Sequence, residues 1–356
     1  MICLCLTVCG CVRDGGDMEN KNTDIESGTT AATTAKEPEQ METPESKYKN
    51  YWKYETLSSG LMVRHVTIKT EKRGDPIEIV QLTDLHFNYC DEQDLAEADP
   101  VLMSTLENRK WLANAKSLPN AQRALEYAKD ADQLVITGDV LDYLSHGTLS
   151  LTKTYIFDAF PDAMVTLGNH EPVRQMQGTV AENTTLESRL AILQENWNHD
   201  VYYSSKVLGE KVMLIQMDNG STGEFQKSQV EPLRQDLATA REKGYTVLLF
   251  YHIPLATGNP ADYNATAIVV GDKNGSVRNL YTKGVGNHST GASREVYQLI
   301  TNNADIIAGA FCGHTHNDFY TEIKAKTASG EATVIPQYIL IGAPYGKGHA
   351  LRITVD

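Results

Sequence analysis

The sequence predicts an α/β fold, a four-layer sandwich of two mixed β-sheets flanked by helices. Three observations lead to it. Short β-branched apolar runs recur along the chain, helix-like segments alternate with them, and two further strand-like runs follow one another near the C-terminus with no helix between. The apolar runs are IEIVQL at 77–82, QLVIT at 133–137, AMVTL at 163–167, TVLLFY at 246–251 and DIIAGAF at 305–311. Runs of this length without polar alternation predict strands covered on both faces. Residues 120–131, 184–197, 228–244 and 293–303 read as helices; the second begins with Thr, Leu and Glu in capping positions, and Gly244 closes the third. Strands and helices in alternation predict an α/β domain. The late runs at 332–342 and 350–355 predict added antiparallel strands.

A chain of 356 residues, 41% of them hydrophobic, can bury a sizeable core in one large domain or two ordinary ones. Its net charge of -14 argues against a general nucleic-acid binder, because phosphate contacts need a local excess of Lys and Arg. Four of the six cysteines fall in the first eleven residues, MICLCLTVCGC. Val8-Cys9-Gly10-Cys11 resembles the end of a bacterial lipoprotein signal, which implies a lipidated Cys11 and a membrane tether. The apolar stretch is shorter than the usual signal core and no basic residue precedes it, so an extracytoplasmic lipid-anchored protein and a cytoplasmic one both stay open. The predicted organisation is a signal remnant at 1–11, a disordered polar linker at 12–50 and one domain at 51–356. The linker is almost free of large apolar residues and cannot bury enough surface to offset its ordering entropy. No stretch approaches the roughly 18 apolar residues of a transmembrane helix.

Each apolar run ends in a polar or Gly-containing turn that carries chemistry. The first runs into Thr83-Asp84-Leu85-His86, the second into Gly138-Asp139 and the third into Gly168-Asn169-His170-Glu171. The last two run into His252-Ile253-Pro254 and Gly313-His314-Thr315-His316. Open α/β sheets bind their ligands at the carboxyl ends of strands, which is where all five turns fall. Any one motif alone is weak evidence, since an Asp after a strand commonly caps a turn or helix. Five in order, each after a strand, are a strong signal.

D-x-H, G-D, G-N-H-E, strand-H and G-H-x-H in this order resemble the calcineurin-like metallophosphoesterase family over about residues 77–320. The resemblance implies a hydrolase of phosphate esters with two metal ions of Mn, Fe or Zn type. It places Asp84, His86 and His316 on one ion, Asn169, His252 and His314 on the other, and Asp139 between them. A hydroxide held between the ions would be the nucleophile, and His170 the general acid. Glu171, where many relatives carry Asp, would orient the His170 imidazole. Mixed oxygen and imidazole donors suit such ions while leaving a position open for water.

The purple acid phosphatases carry a tyrosine ligand three residues after the second-motif Asp; here that position is Asp142, which argues against a tyrosinate centre. The acid sphingomyelinase-like branch shares D-x-H and G-N-H-E but not the continuation after Asp139. The expected partner is a small phosphate ester, monoester or diester, with a nuclease or sphingomyelinase-like phosphodiesterase as alternatives. A non-catalytic binding module would need a broken ligand set, and none is broken. The loops at 89–118 and 256–292 are candidates to set specificity, though Lys283 and His288 of the latter read first as residues of a solvated surface loop; the Gly-rich segment Gly342–His349 reads first as a plain β-turn, with a place at the border of the cleft as the alternative. Cys90 and Cys312 read as packing residues.

Overall fold

Apolar runs that carry no polar alternation have to be covered from both sides, and the architecture of this chain supplies both covers. The computed structural model describes residues 53–96, 103–104, 107, 109, 117–172, 185–255, 257 and 291–356. The signal-like segment with Cys11, the linker, parts of the two long loops, and Lys283 and His288 lie outside the described residues.

Two six-stranded mixed sheets face each other. The first contains β1 (Lys53–Thr56), β2 (Met62–Ile68), β3 (Ile77–Leu82), β4 (Gln133–Thr137), β5 (Met164–Thr166) and β12 (His349–Val355), in the order β1-β2-β12-β3-β4-β5. The second contains β6 (Tyr203–Leu208), β7 (Val212–Met217), β8 (Thr246–Phe250), β9 (Ile307–Cys312), β10 (Phe319–Lys326) and β11 (Ala332–Ile339), in the order β10-β11-β9-β8-β7-β6. In each, the strands that lead to the five motifs run parallel to one another: β3, β4 and β5 in the first, β8 and β9 in the second.

Among the described residues the helices are α1 (Glu92–Ala96), α2 (Ser117–Ala128), α3 (His146–Thr152, continued by a π-helical turn at Lys153–Phe157), α4 (Leu186–Asn196), α5 (Lys227–Lys243) and α6 (Gly291–Thr301). Thr185 caps α4 by accepting from the Ser188 N–H, and Gly244 ends α5 at φ 68°, a conformation a β-carbon would oppose. Successive residues of β8 show why the sequence lacks alternation. Leu248 and Phe250 enter the core between the sheets, where the rings of Phe250, Phe311 and Tyr338 stack. Val247 and Leu249 face the other way, into a core closed by Val230, Leu233 and Leu237 of α5 and Val296 of α6. A third core lies on the far side of the first sheet, under Ala121 and Leu125 of α2 and Leu193 of α4. The predicted four layers follow.

Five strands join those the apolar runs predict. β1 and β6 are edge strands with exposed or half-exposed patterns, and β2 and β10 mix polar with apolar residues, so none stands out as a buried run. β7 is buried throughout and carries the same signature as β8. The two late runs do not pair with each other. β11 lies antiparallel to β10 and parallel to β9 in the second sheet, whereas β12 inserts into the first, parallel to β2 and antiparallel to β3. Among the described residues no helix is long and apolar enough to cross a membrane.

The insertion of β12 is tied by charge as well as packing. Arg64 on β2, almost fully buried, donates from Nε to Asp318 at 2.9 Å and meets His349 Nδ1 on β12 at 2.8 Å. A guanidinium only donates, so the imidazole accepts at Nδ1 and is neutral. Burial and then the Arg64 charge hold His349 down at about 4, against 6.5 for the free side chain. The unfolded chain therefore takes up a proton that the folded chain refuses. This stability is fully present above 6.5 and is lost as pH falls from there toward 4. Urea midpoints of the wild type should fall across that window, and His349→Gln should flatten part of the slope; equal slopes in both proteins would assign the effect to other groups.

Candidate metal centre

The turns after β3 and β4 are zipped together by backbone hydrogen bonds that continue the parallel pairing past the strands. Asp84 N–H donates to Gly138 O, His86 N–H to Asp139 O, Phe87 N–H to Val140 O and Asp142 N–H to Phe87 O, at 2.7–3.0 Å. This register sets Asp84 and His86 against Asp139 and Asp142. On the second sheet, Gly313 N–H donates to His252 O at 3.0 Å, and Ala343 N–H crosses to Thr83 O at 2.9 Å. All five motifs thus meet at one end of the sandwich.

The backbone there is held in an unusual conformation. Six described residues other than glycine have positive φ, and five of them are Asp84, Asp139, His86, His314 and His316, at φ 47–70°. Such left-handed residues cost of order 1 kcal/mol or more each and persist where the surroundings over-determine them. Glycine makes the close approach feasible. A β-carbon on Gly168 would fall on the carboxylate and N–H of Asp139, and one on Gly313 on Thr83 Oγ1 and the Asp84 carboxylate.

The donor atoms form two groups that share Asp139. In the first, His316 Nε2 lies 3.1 Å from Asp84 Oδ1 and 3.0 Å from His86 Nε2, and His86 Nε2 lies 3.8 Å from both Asp84 Oδ1 and Asp139 Oδ2. In the second, Asn169 Oδ1 lies 3.2 Å from His252 Nε2 and 2.9 Å from His314 Nδ1, and His252 Nε2 lies 3.3 Å from Asp139 Oδ2. Asp139 Oδ1 is taken by the N–H of His170 at 2.8 Å, so Oδ2 is the oxygen that faces both groups.

A cation fits this arrangement. His86 Nδ1 meets Asp142 Oδ1 at 3.0 Å and His252 Nδ1 meets the carbonyl of Thr137 at 2.7 Å; each proton placed there turns an Nε2 lone pair inward. Asp84 Oδ2 accepts from Thr83 and from the N–H of His314, whereas Oδ1 is buried with no hydrogen bond of good geometry among the described residues. Buried lone pairs and an orphaned carboxylate oxygen converging on one space are a cation's donor set. Burial opposes charge on both carboxylates, yet His316 holds Asp84 down at about 2, and His252 with His170 holds Asp139 well below the usual carboxylate range. Against burial, Asp139 in turn lifts His252 to about 10. Burial and the His252 charge push His314 down to about 4. Positive charge is what the carboxylates demand, and a metal ion would replace those protons.

His170 and Glu171 take different places. The side chain of His170 is 22% exposed, and its ring stands edge-on to that of His86 with Nδ1 2.9 Å from the backbone carbonyl of Asp142. Glu171 does not reach that imidazole. Its buried carboxylate accepts from the N–H groups of Gly168 (2.7 Å), Val140 (2.5 Å), Asp139 (3.2 Å) and Leu141 (3.4 Å), and burial with the nearby Asp139 pushes it up to about 8. Glu171 braces the loops, and the group that orients His170 is the chain at Asp142.

Several supporting residues do not stand out in the sequence. Asp142 gathers His86, Asn88 and Arg109 on one carboxylate. Asn219, at the end of β7, accepts from the N–H groups of His252 and Ile253 and donates to Ile253 O. Tyr345 places its hydroxyl 2.7 Å from His316 Nδ1, so the Gly-rich segment does border the centre. The β7 run closing on Asp218-Asn219-Gly220 repeats the strand-then-polar-turn pattern and is the one legible signal among them. Cys90 Sγ sits 3.6 Å from Tyr143 Oη, and Cys312 is buried against Tyr338 O.

Gly313→Ala should lower the thermal midpoint by an amount equivalent to about 1–3 kcal/mol of overpacking and cut the metal content per chain, read by elemental analysis. Full metal content with an unchanged midpoint would contradict the crowding described here.

The sequence model of the family described as calcineurin-like phosphoesterase matches residues 77–318. Solved structures similar to this chain include a purple acid phosphatase from yellow lupin (Lupinus luteus) seeds, at 13% identity and TM-score 0.42, covering 84% of this chain and 48% of that one. This chain thus spans about half the length of the lupin protein. A dimetal phosphatase from Danio rerio is similar at 12% identity and TM-score 0.40, covering 75% of this chain and 88% of that one. The calcineurin-like phosphoesterase YfkN from Bacillus subtilis is similar at 13% identity and TM-score 0.32, covering 75% and 81%. No curated protein matches the chain significantly.

Proposed function

We propose that this chain, which belongs to the calcineurin-like phosphoesterase family, hydrolyses phosphomonoesters or small phosphodiesters at the centre described above. The observation that carries the reading is the complete donor set: seven side chains in two adjoining groups that share Asp139, with His170 beside them. Asp84, His86 and His316 would hold one ion and Asn169, His252 and His314 the other. When bound, such ions activate water and offset charge on the phosphoryl oxygens.

The chain's own residues support the remaining steps. Asp142 fixes the His86 ring through its carboxylate and the His170 ring through its carbonyl, which leaves His170 Nε2 as the nitrogen able to hand a proton to the leaving oxygen. Partial exposure lets a substrate reach that ring. The acidic balance of the chain favours small esters over long polyanions.

With Mn²⁺ supplied, the purified protein should cleave p-nitrophenyl phosphate or its bis ester, and Asp139→Asn should abolish the reaction. Absence of hydrolysis with every divalent metal tried would sink the reading. His170→Ala should slow cleavage about 10²–10⁴-fold for alkyl esters, whose leaving oxygen needs a proton, and less for p-nitrophenyl esters, whose leaving group departs unprotonated. Equal losses on both would remove His170 from the acid role.

A further inference from the structure

Three of the four imidazoles that could ligate are backed by three different kinds of partner. His86 rests on a carboxylate and His252 on a backbone carbonyl; His314 Nε2 is buried with no hydrogen-bond partner among the described residues. His316 is backed by a phenol, Tyr345, at 2.7 Å. A carboxylate or carbonyl can only accept, so it dictates which ring nitrogen keeps the proton. A phenol can donate or accept, and it follows whatever the other nitrogen does.

We propose that Tyr345 is a positioning residue of the metal centre: its oxygen accepts the Nδ1 proton of His316 and so keeps the Nε2 lone pair aimed into the group formed with Asp84 and His86. The proposal rests on the phosphoesterase reading and concerns one of its two ion sites.

The segment that delivers the phenol is built for it. Its backbone closes on itself, Tyr345 N–H to Gly342 O at 3.2 Å and Gly348 N–H to Tyr345 O at 2.9 Å. Asn120 on α2 clamps it by donating to Pro344 O at 2.7 Å and Gly346 O at 3.1 Å, while Ala343 N–H ties it to Thr83 beside the ligand Asp84. Gly342 leaves room for the ring: a β-carbon there would lie 2.9 Å from Tyr345 Cε2 and 3.0 Å from Asp84 Cβ. The phenol is thereby wedged between ligand loop and ligand ring. Among the described residues the Tyr345 hydroxyl is the hydrogen-bond partner of His316 Nδ1. Were the hydroxyl to donate instead, Nε2 would carry the proton and could not ligate.

The test is a Zn²⁺ titration of the metal-free full chain by calorimetry, wild type against Tyr345→Phe, which keeps the ring and removes the oxygen. The wild type should take two ions; in Tyr345→Phe one of the two should bind roughly 10–100-fold more weakly, the usual cost of losing a partner behind a ligating histidine, with the other ion unchanged. Nitrogen-15 spectra of the Zn²⁺-loaded wild type should show His316 protonated at Nδ1, a signature that a merely structural role would not require. The metal-free thermal midpoint should be the same in both. Two ions bound to Tyr345→Phe at wild-type affinity, equal weakening of both, or an Nε2-protonated His316 would overturn the proposal alone. A wild type that binds no ion would overturn the phosphoesterase reading and the proposal with it.

Discussion

Two carboxylates, Asp84 and Asp139, sit fully buried at the junction of two sheets, and the rest of the site is arranged around keeping their charge there. An unpaired buried carboxylate costs several kcal/mol, so the surroundings must supply positive charge or the groups would neutralise. In this chain the supply is imidazole at close range, with His252 and His316 as the nearest. The same geometry is a cation's donor set. The carboxylates therefore link the stability of this end of the fold to its chemistry.

Meeting that demand requires backbone that would not form on its own. Five of the candidate donor residues adopt left-handed φ, and three turns come so close that only glycine fits at Gly138, Gly168 and Gly313. The strain is held by polar ties rather than by apolar packing. Glu171 collects four N–H groups from the two neighbouring loops, Asn219 clips the His252 turn, and Gln81 reaches from β3 to Thr137 and across to the Cys312 carbonyl of the other sheet. Each tie satisfies groups that burial would otherwise leave unpaired. The apolar layers on both faces of the sheets then give the ligand loops a rigid floor.

Much of this was legible. The five buried runs, the helices between them and the ligand turns at strand ends are local patterns, and β3, β4, β5, β8 and β9 lie where the runs predict, to within a few residues. Glu171 was legible as a site-adjacent residue but not in its partner: its neighbour in sequence is His170, yet its carboxylate turns away to the β4 loop. Asp142 was visible only as a residue that is not tyrosine. Its hold on His86 follows from the backbone register between two loops that lie more than fifty positions apart in sequence, and no local pattern encodes that register. The late runs differ for a similar reason. Both are strands, but which sheet each one joins depends on the free edges left by strands far away in sequence.

By itself the sequence determined the motif-bearing strands, the helices between them and their order, because strand propensity and burial on both faces are properties of short segments, and the five strand-end motifs nominated seven candidate donors through their resemblance to a family. Tertiary structure alone decided which nitrogen of each histidine faces inward, which carboxylate oxygen is shared, and that Asp142, Asn219 and Tyr345 stand behind the candidate donors. Those outcomes depend on hydrogen bonds between segments brought together by sheet pairing, and a hydrogen bond has a direction and a length that no spacing in the chain specifies.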